Sequence, residues 1–310
     1  DAMKDNVSGQ TITLTTGIDP LVGTDKGDVF NATYNGTTPL TDGSTLTVLD
    51  SIDGGAGADT LNVLSTVALT VPAGVTVSNV ETANFKGADA VTANTTTWSG
   101  LTTANVTQAT AATLTAAATT DVNVSGITVV NGDIVVKGGK NIVINDTKAG
   151  GDITIGDNTV VAGDATGTIT ITDTNNAKNG GANNDILVSG GTDVTVTTTA
   201  DKASSGAITI GHATNGMATG KVVVTQNTTS NGTAATAGDV TVTGGKTVEI
   251  TANMTNTAVK GGGTSSITAG TYKVVAGDTT TDVTITQNAK ATDFENDAAA
   301  GTAEVSTVTF

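Results

Sequence analysis

Gly54-Gly55-Ala56-Gly57-Ala58-Asp59-Thr60-Leu61-Asn62 is the stretch on which the reading of the fold turns. It fits the nonapeptide G-G-x-G-x-D-x-U-x, with U a large apolar residue, at every specified position, and that pattern is a calcium-binding β-solenoid signature. The spacing follows from the chemistry. Glycines permit the positive φ and close approach of a tight turn, their carbonyl oxygens turn inward, and the Asp carboxylate completes a hard oxygen site. Calcium takes about six to eight such oxygens. Thr60-Leu61-Asn62 then reads as a short strand with one apolar side chain facing a narrow core. One nonapeptide is half a site, because the oxygens come from two stacked turns.

The other half is sought upstream, in Gly23-Thr24-Asp25-Lys26-Gly27-Asp28-Val29-Phe30, which ends in the same Asp-x-apolar pattern. Aligned on Asp28 and Asp59, Lys26 falls where Gly57 sits and Gly27 where Ala58 sits, so the upstream turn differs from the intact one. Asp25 adds a carboxylate, and Asp50 and Asp53 thicken the acidic cluster. The expected metal set is Asp59 and Asp28 as leading carboxylates, Asp25 and Asp53 as auxiliaries, with Gly55 and Gly57. The other reading of these residues is a pair of ordinary Gly/Asp turns.

The run Leu21 to Phe30, followed by Leu49-Asp50-Ser51-Ile52-Asp53 and the nonapeptide, resembles the repeats-in-toxin (RTX) type domains of bacterial proteins exported by type I secretion. The likeness is greatest to surface-layer and adhesin-like members. Val77-Ser78-Asn79-Val80-Glu81-Thr82-Ala83-Asn84-Phe85 and Thr97 to Thr102 are similar to their connecting segments. The resemblance covers roughly residues 10 to 126, the nonapeptide being its specific part. It implies a right-handed β-solenoid, calcium as cofactor, an extracellular place on the bacterial cell surface and self-assembly.

Composition points the same way. The chain has 310 residues, 37% hydrophobic and only 2% aromatic, so a wide globular core is not expected. Val, Ile, Ala, Leu and Thr suit a thin, pleated interior. The net charge is −16, and all 13 basic residues are Lys. Nucleic acid is excluded as a partner, since phosphate neutralisation and base readout rest on a positive face and on Arg. Divalent cations relieve repulsion among carboxylates, and acidity also favours plain solubility. With no cysteine there is no thiol or disulfide chemistry. No apolar run reaches the length of a membrane span, and residues 1–20 lack a basic start followed by an apolar run. A chain that begins at Asp1 reads as processed or excised.

Residues 1–20 are expected to contribute one terminal strand, Thr11-Ile12-Thr13-Leu14-Thr15, and residues 21–130 a calcium-binding β-solenoid of short strands. Leu101, Val106, Leu114, Val122 and Ile127, five to eight residues apart, suit solenoid rungs. Ala111 to Ala118 holds strong helix formers, but its interleaved Thr residues favour β or coil. Residues 131–310 form a repeat region. Asp133-Ile134-Val135-Val136, Asp185-Ile186-Leu187-Val188 and Asp239-Val240-Thr241-Val242 align at spacings of 52 (133 to 185) and 54 (185 to 239) residues, each followed by Gly-Gly. Three units of four strands emerge, the third strand being Asp152-Ile153-Thr154-Ile155, Ala207-Ile208-Thr209-Ile210 and a weaker Ser266-Ile267-Thr268-Ala269. Alternation of Ile or Val with Thr sets apolar groups on one face, and such units must stack to bury it. The expected fold is all-β: a β-solenoid, either β-roll or parallel β-helix, with stacked repeat units. Tandem antiparallel β-sandwiches are the alternative.

Credible catalytic constellations are absent. His212 stands in a Gly/Asn/Thr loop with no second His, and Gly261-Gly262-Gly263 reads as a turn. Trp98 suits either core packing or carbohydrate stacking. Asn-x-Thr/Ser triplets at Asn31, Asn94, Asn105 and Asn145 are expected by chance in so Thr-rich a chain. The chain is therefore read as a non-enzymatic structural protein that self-assembles with calcium into a surface layer or filament. Thr11, Ile12, Thr13, Leu14, Val305, Val308 and Phe310 form the terminal segments that would pair with another copy. An adhesin stalk or a module binding carbohydrate or a host ligand is the alternative, and a polysaccharide-degrading solenoid enzyme the third. The expected partner is the chain itself, then a cell-surface polysaccharide.

Overall fold

A computed structural model describes residues 8–36, 42–148, 150–157, 163–177, 184–201, 204–212, 216–231, 234–257, 266–292 and 307–309. Val305, Phe310, Pro39 and Gly261 to Gly263 lie outside them. The chain divides into two units, residues 1–128 with 134–142, and residues 129–133 with 143–310.

Unit 1 winds through three parallel sheets. The first holds Thr11–Thr13, Val29–Tyr34, Thr60–Ser65, Thr82–Gly87, Thr103–Gln108 and Asp121–Ser125 in that order. The second holds Leu69–Thr70, Val91–Asn94, Ala112–Ala116 and Ile134–Gly138, and the third Pro20–Val22, Ser51–Asp53 and Thr76–Ser78. Strands one turn of chain apart pair in register, Phe30 with Leu61 and Leu61 with Ala83. Each strand alternates buried and half-exposed residues, as period-two side chains on a one-sided sheet must.

Two inward columns fill the first sheet. One runs Phe30, Leu61, Ala83, Ala104, Val122; the other Ala32, Val63, Phe85, Val106, Val124. Volumes compensate within a coil, Phe30 beside Ala32 and Ala83 beside Phe85, so a thin interior stays close-packed. Trp98 is 5% exposed, with its ring 6.1 Å from Phe85. It packs in the core and offers no surface for sugar stacking. Leu101, Val106, Leu114, Val122 and Ile127 are all buried, and Ala112–Ala116 is a strand.

Unit 2 repeats the plan with Ile and Val. Its first sheet holds Ile142–Asp146, Ile169–Asp173, Val194–Ala200, Lys221–Ser230, Thr247–Thr257 and Asp282–Thr292. The second holds Ile153–Ile155, Ile186–Val188, Ile208–Ile210, Val240–Thr243 and Tyr272–Val275. A third holds Ala234–Thr236, Ser266–Thr268 and Thr307–Thr309. Ile153, Ile186, Ile208 and Val240 stack at 1% exposure or less. The intervening Thr154 and Thr209 are half-buried on the other face.

The protein is thus all-β, with no α-helix among the described residues, and its ladders run parallel, as a β-solenoid requires. That overturns the antiparallel sandwich alternative. Parallel partners lie a full turn of chain apart, which the short links within a coil permit. One strand of the repeat also needs correction. Ser266–Thr268 pairs with Ala234–Thr236, and the place in the second sheet belongs to Tyr272–Val275.

Candidate functional site: a column of Gly/Asp turns

The turn 23–28 lies directly on the turn 54–59, at the corner between the third and first sheets of unit 1. A Cβ added at Gly57 would stand 2.7 Å from the Lys26 carbonyl oxygen, and one at Gly27 the same distance from that of Ala58. The two turns therefore stack in the predicted alignment. Gly55 at φ 89° and Gly57 at φ 131° hold backbone that L side chains rarely adopt, so the intact motif has a shape the upstream turn cannot copy.

That difference changes what the two carboxylates touch. Asp28 Oδ2 accepts from Thr24 N–H at 2.5 Å and from the Thr24 hydroxyl at 3.0 Å, while Oδ1 accepts from Gln10 N–H at 2.5 Å. Burial pushes the Asp28 carboxyl up, but these donors outweigh it and hold it below the usual carboxylate range. Asp59 Oδ1 accepts from Asp28 N–H at 2.6 Å, and its Oδ2 is buried with no hydrogen-bond partner. The donor equivalent to Thr24 N–H is that of Gly55, and it has turned to Asp53 Oδ1 at 3.1 Å. Burial pushes the Asp59 carboxyl up; the Asp28 N–H opposes this, and the charges of Glu81, Asp28 and Asp53 add to it.

The remaining predicted residues are dispersed. Asp53 Oδ1 also accepts from Asn79 Nδ2 at 2.8 Å. The Asp25 side chain is 79% exposed and 3.5 Å from Lys26 Nζ. No three His, Cys, Asp or Glu side chains among the described residues come close enough together to hold a metal ion. The orphaned Asp59 oxygen amid uncompensated negative charge fits a cation. Calcium at this corner would be held by Asp59, with Asp53 and carbonyl oxygens of the glycine turn supplying further hard ligands. His212 is exposed.

Thr11–Thr13 pairs along one edge with Val29–Asn31, and Leu14 is buried, its N–H on the Asn31 carbonyl at 2.9 Å. The strand is the first of its sheet, so its other edge has no described neighbour. Val308 lies in Thr307–Thr309, paired with Ser266–Thr268.

Three features were not read from the sequence. Asp19 and Asp59 belong to a wider system in which an acidic residue just before a strand caps a backbone N–H one coil away. Asp50 accepts from Asp19 N–H at 3.0 Å and Glu81 from Asp59 N–H at 2.7 Å. From Asp121 onward the direction reverses: Asp121 accepts from Asn141 N–H at 3.2 Å, Asp133 from Asp152 N–H at 3.0 Å and Asp152 from Asp185 N–H at 2.9 Å. The second feature is an outward ladder of amides, Asn31, Asn62, Asn84, Asn105 and Asn123, each Nδ2 donating to the previous Oδ1 at 2.8–3.0 Å. Asn31 and Asn105, seen in the sequence only within chance triplets, are rungs of it. The third is a buried polar group around Asp146 and Asp173. Burial pushes Asp173 up to about 7, against hydrogen bonds from Asn176, the Asn175 N–H and Asn184. Asp146 is raised by burial too.

Comparison with known proteins found no matching family model and no matching curated protein.

Proposed function

We propose that the protein is a non-enzymatic structural component of the bacterial exterior whose coils associate end to end with other copies in a calcium-dependent layer or filament. The observation that carries this reading is the last coil of unit 2. Asp282–Thr292 pairs on one side with Thr247–Thr257 and is the final strand of its sheet. Its Val283 and Ile285 continue the column of buried Val248 and Ile250, yet are 46% and 42% exposed. An edge strand with an apolar inward row is a template for further strand pairing. Thr11–Thr13 offers a second edge with no described neighbour, and head-to-tail contacts of that kind propagate without closing. Calcium at Asp59 would order the unit 1 corner and moderate repulsion between copies of net charge −16.

Light scattering and electron microscopy of the purified chain, with calcium in the millimolar range and with chelator, test this reading. Calcium should produce layers or filaments. The double variant Val283→Lys/Ile285→Lys should stay folded, as circular dichroism would show, and remain dispersed. Wild-type protein that stays monomeric in calcium sinks the assembly claim, and a double variant that assembles normally removes this coil from the interface. Dispersed rods would favour the adhesin stalk.

A further inference from the structure

Asp146 and Asp173 each close an inward row that is otherwise aliphatic: Ile142, Ile144, Asp146 on one strand and Ile169, Ile171, Asp173 on the next. The strands are neighbours, with Thr174 N–H on the Asp146 carbonyl at 2.9 Å, and the two carboxylates are 1% and 0% exposed. Two like charges buried in adjacent coils are costly unless something neutralises them.

The surrounding groups meet that charge only in part, although the Lys148 ammonium favours ionised Asp146 and the Asn184 side chain hydrogen-bonds Asp173. Asp146 Oδ1 accepts from the N–H groups of Thr147 at 2.6 Å and Lys148 at 3.0 Å, while its Oδ2 has no partner. Asp173 accepts from Asn175 N–H at 3.0 Å and Asn176 Nδ2 at 2.9 Å. Asn184 Nδ2 donates to the Asn175 carbonyl at 3.0 Å, and the side-chain oxygens of both Asn175 and Asn184 are buried without partners. All three orphans are acceptors, so what they lack is an electrophile. Water would donate to two of them but carry no charge, and a single proton would neutralise one carboxylate and satisfy at most one acceptor. Carboxylate and amide oxygens are hard donors, which select calcium-class ions over soft metals.

We propose that the interior of unit 2 binds one calcium-class divalent cation between Asp146 and Asp173, with the side-chain oxygens of Asn175 and Asn184 in its shell. This site is separate from the Asp59 corner and does not rest on it. The ion converts a repulsive pair into the bridge between two coils.

Calcium titration of the full chain after EDTA stripping, by calorimetry and native mass spectrometry, tests the assignment. Asp146→Asn/Asp173→Asn should bind one ion fewer than wild type, and Asp59→Ala should lose a different ion that the double variant keeps. In chelator the double variant should melt above wild type, since it buries no charge. A double variant with the wild-type ion count overturns the proposal, whatever Asp59→Ala does. Should it not fold, Asp146→Asn alone and amide exchange on the wild-type chain decide: calcium must slow exchange in 142–146 and 169–173, and unchanged exchange there overturns the site.

Discussion

Replacing Ile155 by Asp tests the register on which the account of unit 2 depends. Ile155 is fully buried, paired with Val188, in a strand whose middle residue, Thr154, faces the other way. Removing the side chain from the core forfeits about 2–3 kcal/mol of burial. The new carboxylate must take up a proton to stay there, and at neutral pH, about 3 units above the ordinary Asp value, that costs about 4 kcal/mol. Together these reach about 6–7 kcal/mol, comparable to the whole stability of a typical domain at ~5–15 kcal/mol. Thr154→Asp should change stability by less than about 1 kcal/mol, because the side chain reaches water. Urea unfolding followed by circular dichroism at neutral pH compares the two, with Ile155→Ala as the intermediate at about 2–5 kcal/mol. Equal tolerance at 154 and 155, or a larger loss at 154, would refute the inward assignment.

Asn84→Ala removes two ladder bonds, one given to Asn62 and one received from Asn105, and should cost about 1–2 kcal/mol in urea unfolding; a loss no greater than that of Thr92→Ala, exposed on the second sheet, would show the ladder to be energetically idle. Asp59→Ala should shrink the gain in melting temperature that calcium gives, since a ligand stabilises the state it binds, and an unchanged gain would take Asp59 out of the site. Burial first, with the charge of Asp239 adding to it, pushes the Tyr272 hydroxyl up to about 12 from its ordinary 10. Its contribution is complete below pH 10 and is lost as pH rises through about 12, because the unfolded chain gives up that proton first. Tyr272→Phe should flatten this alkaline loss in a melting-temperature profile; the same decline in both proteins would assign it elsewhere.

Fold class was legible because alternation at period two survives without knowledge of partners. Ile153-Thr154-Ile155 and Ile208-Thr209-Ile210 announce their buried face residue by residue. What alternation does not reveal is the sheet a strand joins, and by its pattern alone Ser266-Ile267-Thr268 resembles them. Its partner is Ala234–Thr236, and Tyr272–Val275, which mixes Tyr, Lys and Val, takes the expected place. The amide ladder was hidden for a related reason. Its rungs are separated by 31, 22, 21 and 18 residues, so no fixed period exposes them, and only strand register aligns them. The Asp residues were visible, read as metal ligands or as plain Gly/Asp turns, but neither reading foresees that Asp28, Asp50, Asp59, Asp133 and Asp152 accept N–H groups from a neighbouring coil. Asp28 and Asp59 look equivalent as letters, and the positive φ at Gly55 is what leaves one saturated and the other with a free oxygen.

Energetics also bear on which part of the last described coil could drive the proposed assembly. Val283 and Ile285 are about half covered already, so burying the rest yields on the order of 2–3 kcal/mol for the pair. Association of two bodies costs an estimated 4–15 kcal/mol in lost freedom, so two side chains do not suffice. In the proposed assembly backbone pairing would supply the remainder: the strand Asp282–Thr292 is 11 residues long, and each ladder bond contributes a net ~0.5–1.5 kcal/mol. Five or so such bonds, as alternate residues of one edge provide, bring the balance near zero before charge is counted. Net charge of −16 on each copy then opposes contact at low salt. An interface poised that close to balance is set by whatever changes the charge, and bound divalent cations remove two negative charges apiece. Calcium dependence of assembly is therefore expected even where no calcium ligand lies at the contact itself.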